Sequence, residues 1–328
     1  MKSFSLLYVA AFLGLASLCQ AQTWNLNYGN EEGKVAFYNS KSDPNFAEDS
    51  PYGPMAFRVI DDKLWVLDSI VGKLVCFDKN GKVLKSIIVP NLEGFKLLED
   101  FALSGDDKNN PEAVWIANAA DCIVRKISIS DGKVLAEVGG NENVSGKILQ
   151  VSQLEVDAGG RLYIADIARN TLSVFTSTGS FLREYPWQSS GFFVDKNANL
   201  HLLHYLDNTG YFHRIYSTKG QLIKNVHLGL VNNTNVKLLK VEEDGSVILS
   251  MIPKEGFKGV MLLYKIDKMG IIREKLEYVP PSTMNRDICL DGDNIFLAEA
   301  NFETAPNTKF VIKPLKWDKK SSFNDGAK

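Results

Sequence analysis

Cysteine is scarce in this 328-residue chain, with only Cys19, Cys76, Cys122 and Cys289. No two stand as CxxC, and once Cys19 is set aside with the leader an odd number remains. That argues against a disulfide framework or a cysteine zinc cluster, and predicts buried free thiols within the strand runs LVCF, DCIV and DICL. Histidine is equally rare: His201, His204, His213 and His227 are all there are. No apolar run reaches the roughly 18–20 residues of a membrane span, so no transmembrane segment is expected. The net charge of −2 supplies no general attraction for nucleic acid or an anionic membrane. GxSxG, HExxH and GxxxxGK[ST] motifs are missing too, which removes the commonest hydrolase, metalloprotease and phosphate-loop chemistries.

What is present begins with a leader. Lys2, an apolar stretch over 4–18 and Cys19-Gln20-Ala21 form the charged start, core and small-x-small end of a signal peptide. Cleavage near Ala21 and a secreted or periplasmic location are expected. Acylation at Cys19 is the competing reading, but the bulky Leu18 precedes it.

The rest of the chain is a repeat, shown best by residues 150–187. Four short apolar runs there are separated by Asp-Ala-Gly-Gly, Asp166-Ile-Ala-Arg-Asn and Thr-Ser-Thr-Gly turns, the pattern of a four-stranded antiparallel meander. The second run recurs as KLWVLD (63–68), AVWIAN (113–118), RLYIAD (161–166), NLHLLH (199–204), GSVILS (245–250) and NIFLAE (294–299). Its last position, Asp68, Asn118, Asp166, His204, Ser250 and Glu299, recurs at intervals of 38 to 50 residues. Periods of this size with four strands per unit predict an all-β, six-bladed β-propeller of four-stranded antiparallel blades. The units fall near 53–89, 97–139, 150–187, 190–228, 236–279 and 286–317, within a single domain over 22–317, with a polar tail at 318–328. The sixth unit lacks its outer strand. A strand within 24–37 is therefore expected to complete it and close the ring, removing two sheet edges.

The segments YGPMAFRVIDDKLWVLDSIVGKLVCFDKNGKVLKSI and QLEVDAGGRLYIADIARNTLSVFTSTGSFLREY resemble NHL repeats of six-bladed propellers. The resemblance covers most of the mature chain. It speaks to fold rather than function, since that family includes lyases, hydrolases, ligand sensors and scaffolds.

In such a propeller the ends of the second strands open on one face, here called upper. The six polar residues there form either a ligand-binding ring or a set of turn caps in which each side chain bonds its own backbone. Recurrence in every unit favours caps. Three positions earlier stand Trp65, Trp115, Tyr163, His201, Val247 and Phe296, read as blade-to-blade packing. His201 and His204 point to opposite sides of their strand, so they do not converge on one metal. His204 alone is a candidate general base. Glu99, Asp100, Asp287 and Glu299 are candidate oxygen ligands for calcium at the channel mouth, although no DxDxDG loop accompanies them. Arg58 and Arg286 join Asp68, Asn118, Asp166, His204 and Glu299 as candidate ligand-binding residues, with Glu155 and Lys240 deeper in the channel. The expected function is a binding module for a small polar ligand or an extracellular protein, acting as a monomer. The alternatives are a lyase or lactone hydrolase with a metal such as calcium, and a cell-envelope scaffold.

Overall fold

Each short apolar run ends at a turn that reverses the chain, so a strand's nearest partner is the run that follows it. The computed structural model describes residues 22–43, 50–92, 97–105, 110–230, 233–253, 256, 258–281 and 283–317. The expected signal peptide at 1–21 and the polar tail at 318–328 lie outside them. In chain order come β1 (Trp24–Leu26), β2 (Ala56–Ile60), β3 (Lys63–Asp68), β4 (Lys73–Phe77) and β5 (Val83–Ile88). Then follow β6 (Leu98–Ser104), β7 (Ala113–Asn118), β8 (Ile123–Ser128) and β9 (Val134–Gly139). The third set is β10 (Val151–Val156), β11 (Leu162–Asp166), β12 (Thr171–Phe175) and β13 (Phe181–Pro186). The fourth is β14 (Phe192–Val194), β15 (Leu200–Leu206), β16 (Gly210–Tyr216) and β17 (Leu222–Gly229). The fifth is β18 (Thr234–Val241), β19 (Val247–Ile252), β20 (Met261–Ile266) and β21 (Ile272–Tyr278). Last come β22 (Ile288–Asp291), β23 (Asn294–Glu299) and β24 (Phe310–Leu315).

These strands form six four-stranded antiparallel sheets among the described residues, with no helix. Five sheets run in simple chain order and are blades 1 to 5, starting at β2, β6, β10, β14 and β18. Blade 6 has the order β1-β24-β23-β22. Trp24 lies opposite Ile312 and Leu26 opposite Phe310, so the N-terminal strand closes the ring as the missing outer strand. The hairpins joining third to fourth strands turn on Gly81, Gly132, Gly179, Gly220 and Gly270, all at φ between 73° and 89°. Only glycine adopts that region without strain.

The core is distributed between blades, because each sheet buries both faces. Trp65 packs with Leu98 and Phe101 of blade 2, Trp115 with Val151 and Leu154 of blade 3, and Tyr163 with Phe192 of blade 4. Trp24, Phe296 and Phe310 of blade 6 join Phe57 and Phe77 of blade 1 in the closing gap. Gly191 marks a tighter junction. A Cβ there would stand 2.5 Å from Leu238 O, because Ser190 O accepts a bond from Leu238 N–H at 2.7 Å where blade 4 meets blade 5.

One strand placement differs from the sequence reading. Cys122 sits in the turn before β8, at φ 57°, rather than inside a strand. A polar Asp121 and the turn it opens displace the apolar run by one residue. Cys76 is buried, Cys122 and Cys289 are half-buried, and all three are free thiols.

Trp24 is 2% exposed, donates Nε1–H to Asp78 O at 2.8 Å and meets Phe296 edge-on at 5.8 Å. Trp24→Ala is therefore expected to cost about 3–5 kcal/mol in urea denaturation, as for other large buried aromatics. A loss below about 1 kcal/mol would contradict the closure of the ring by β1.

Candidate ligand-binding site on the upper face

The polar residues that close the second strands are mostly occupied by backbone. Asp68 is fully buried: Oδ2 accepts from Ala36 N–H at 2.9 Å, and Oδ1 from Ile70 and Val71 N–H at 3.2 Å. Burial pushes its pKa up while those bonds pull it down. Asn118 Oδ1 accepts from Leu97 N–H at 3.0 Å. Asp166 accepts from Leu149, Gln150 and Arg169 N–H. The bonds to Ile70, Val71 and Arg169 cap the side chain's own turn, and those to Ala36, Leu97, Leu149 and Gln150 tie that turn to a distant segment, the last three just before an inner strand. His204 is half-buried, with its pKa lowered by burial and by Arg214. Glu299 is exposed and pairs with Lys313 on the neighbouring strand.

The residues brought together lie on the starts of the inner strands. Arg286 is placed by two bonds to Met55 O, from its own N–H at 3.0 Å and from Asn285 N–H at 2.9 Å. Its guanidinium crosses the channel to Asp100, with Nε 3.0 Å from Oδ1 and Nη2 2.7 Å from Oδ2. Nη2 also stands 3.1 Å from Glu155 Oε1. Arg58 donates to Glu155 through Nη1 at 3.1 Å, and to Phe101 O and Leu154 O at 2.8 Å. Two arginines and two carboxylates from blades 1, 2, 3 and 6 thus form one network across the channel. Burial works against the Arg286 charge, and Asp100 and Glu155 more than offset it. Asn285 adds amide bonds to Glu99 O and Ser152 O.

Above this network opens a cavity of about 330 Å³. Asp100 and Arg286 lie at its floor, Lys237, Ser250 and Asp287 in its walls, and Met261, Tyr278 and Met284 supply apolar surface. Burial lifts the Asp287 carboxyl to about 6, with Lys237 and Arg286 pulling the other way. Glu99, beside Asp100, is lifted to about 7 by burial and by its neighbour's charge. The cavity therefore offers a cation at Lys237, an acid that titrates near neutrality, and hydroxyl donors.

The structure thus places the seven candidate ligand-binding residues in different settings. Arg58 and Arg286 join the network, Asp68, Asn118 and Asp166 hold turns, and His204 and Glu299 stand apart. Among the described residues no three of His, Cys, Asp and Glu are grouped so as to hold a metal ion. Of the four candidate calcium ligands, Asp100 has both oxygens engaged, by Arg286 and by Leu154 N–H at 2.8 Å, and Glu299 by Lys313. Lys237, Tyr278 and Asn285 escaped the sequence reading. Asn285 precedes an inner strand, beside the candidates Arg286 and Asp287. Tyr278 closes an outer strand and carried no signal.

The chain is a six-bladed β-propeller, and solved structures of similar fold bear this out. They include hydrazine synthase of Kuenenia stuttgartiensis (TM-score 0.52, 14% identity, covering 77% of this chain and 75% of that one). Virginiamycin B lyase from Staphylococcus aureus is similar at TM-score 0.51 and 15% identity, over 86% of this chain and 99% of that one. A streptogramin B lyase is similar at TM-score 0.50 and 14% identity, over 80% and 93%. At these identities the likeness is one of fold. No protein-family model matches the chain, and no curated protein matches it in sequence.

A carboxyl whose pKa is raised in the folded chain favours folding while it is protonated. For Glu99 that contribution is complete below its ordinary 4.5 and is lost as pH rises through about 7. Asp287 acts in the same sense between 3.8 and about 6. Glu99→Gln should therefore gain on the wild type by roughly 1–3 kcal/mol between pH 4.5 and pH 8 in urea melts, allowing for solvent near the carboxyl. Parallel stability curves for the two proteins would refute the assignment.

Proposed function

We propose that this chain is an exported, NHL-like propeller that binds a small polar ligand in the upper-face cavity as a monomer. The observation that carries this reading is the cavity itself. It is about 330 Å³, at the lower end of the range that holds small ligands, with convergent polar groups over an apolar wall. Lys237 forms no ion pair within 4 Å to a described residue, and Asp287 lies within its electrostatic reach. An ammonium and a carboxyl lining one cavity suit a ligand that carries both signs, with Met261 and Met284 taking its apolar part.

A second reading, a lyase or lactone hydrolase, draws on the two raised carboxyls. A carboxyl titrating at 6 to 7 is matched to general acid or base work near neutral pH. The readings separate by product: a binder returns its ligand intact, and an enzyme does not.

Met261 is buried at the cavity wall, so Met261→Trp fills the space. A library of small zwitterions screened by saturation-transfer NMR should give ligands whose signal disappears in Met261→Trp while the melting temperature falls by only a few degrees. Ligands that bind the variant equally well would overturn the assignment to this cavity.

A further inference from the structure

The gap between blades 4 and 5 is built differently from those before it. Trp65, Trp115 and Tyr163 fill the first three gaps, and His201 occupies the same register position in blade 4. A cleft of about 670 Å³ opens there, on the face opposite the upper cavity, and His201 and His213 line it. His201 keeps the turn contact of the residue it stands for. Tyr163 donates its hydroxyl to Asp157 Oδ2 at 3.0 Å, and His201 Nε2 lies 3.3 Å from Asp195 Oδ2. His213 breaks the pattern outright. It faces Leu203 across the strand pair, where Leu74, Val124 and Leu172 face Leu67, Ala117 and Ala165.

The proton positions along this chain of groups follow from one fact: a carboxylate only accepts. Neutral His201 therefore carries its proton on Nε2, toward Asp195, and leaves Nδ1 bare. His201 Nδ1 is 2.9 Å from His213 Nε2, which must donate, so the lone pair of His213 rests on Nδ1. Burial, His201 and Lys224 hold His213 neutral, down to about 3. That nitrogen has no bonding partner among the described residues, in a residue that is only 4% exposed. A fixed hydrogen-bond acceptor thus sits where three other blades place an aliphatic side chain.

The charges around the cleft are mostly spoken for. Lys196 pairs with Glu243 at 2.5 Å, Lys240 with Glu242 at 3.2 Å, and Asp267 with Arg273 at 2.5 Å. Lys224 and Lys268 line the cleft with no ion pair within 4 Å to any described residue, Lys268 lying within electrostatic reach of Asp244, and Asp293 is the one lining carboxylate likewise without such a pair among the described residues. Phe193, Ile215 and Val226 give the wall an apolar stretch. We propose that this cleft is a second binding site, for a hydroxylated carboxylate of the sugar-acid class. Its carboxylate lies against Lys224 and Lys268, one hydroxyl donates to His213 Nδ1, and the C–H face of the ring rests on the apolar wall. The site is independent of the upper cavity.

The four histidines make the test direct, because the intact mature protein shows only four imidazole signals in a ¹H–¹³C spectrum. His204→Gln and His227→Gln assign the two outside the cleft, leaving His201 and His213. Titration with D-galacturonate to tens of millimolar should move the latter two signals and leave the former in place. D-Galactose, which lacks the carboxylate, should bind at least about tenfold more weakly, and so should galacturonate to Lys224→Gln. Lys224 is exposed on β17, and unchanged His204 and His227 signals together with a wild-type urea melt show that the variant is folded. Silent His201 and His213 signals, uniform movement of all four, or undiminished binding to Lys224→Gln would each overturn the proposal.

Discussion

A guanidinium in the middle of a protein must be partnered, and this propeller is arranged around two of them. Arg58 and Arg286 face Asp100 and Glu155 across the channel, each of the four carried by a different blade. Removing any one leaves the other three with an unbalanced buried charge, a larger penalty than the loss of a surface pair. The exposed pairs show the contrast: Lys196–Glu243 and Lys133–Asp131 stand in water, where screening leaves little net stabilisation. The network fixes where four inner strands sit relative to one another. The turn-holding carboxylate of Asp166 then fixes how the chain arrives at β10, and that of Asp68 ties its turn to Ala36.

The same network divides the channel. Above it is the cavity with Lys237 and Asp287, and below it a further space of about 470 Å³ lined by Glu155, Asp195 and Lys240. Arg286 and Gln153 border both. A ligand in the upper cavity therefore rests on a neutral floor of paired charges, and the charge it meets comes from the walls. Blade 4 is the second irregularity. Its two buried histidines replace hydrophobic filler and open the gap toward blade 5 at the opposite end of the molecule.

Much of the fold was legible because the propeller writes the same local physics six times. Polar closers after apolar runs, glycine turns at fixed offsets, and one strand missing at the end with one left over at the start sufficed for the blade count and the closure through β1. The candidate site was legible only as a region. That Asp100 and Arg286 both lie at inner-strand starts follows from the repeat. That they bond each other across 186 residues follows from the curvature of the ring, which no local pattern encodes. Lys237 and Ser250 meet in the cavity because bulges in β18 shift its register by one residue against β19, an irregularity without a sequence mark. His201 was legible as one of the packing positions that stand three residues before each second-strand end. Its contact with His213 is diagonal across two strands and needed coordinates.

The Arg–carboxylate network holds the ring and forms the floor of the upper site. A double-mutant cycle on Arg286→Met and Asp100→Asn, read by urea denaturation, tests it most directly. Each single change should cost about 3–5 kcal/mol, and the pair should be less destabilising than their sum by about 2 kcal/mol or more. Additivity within about 0.5 kcal/mol would mean that the two side chains act independently, and the account would fail.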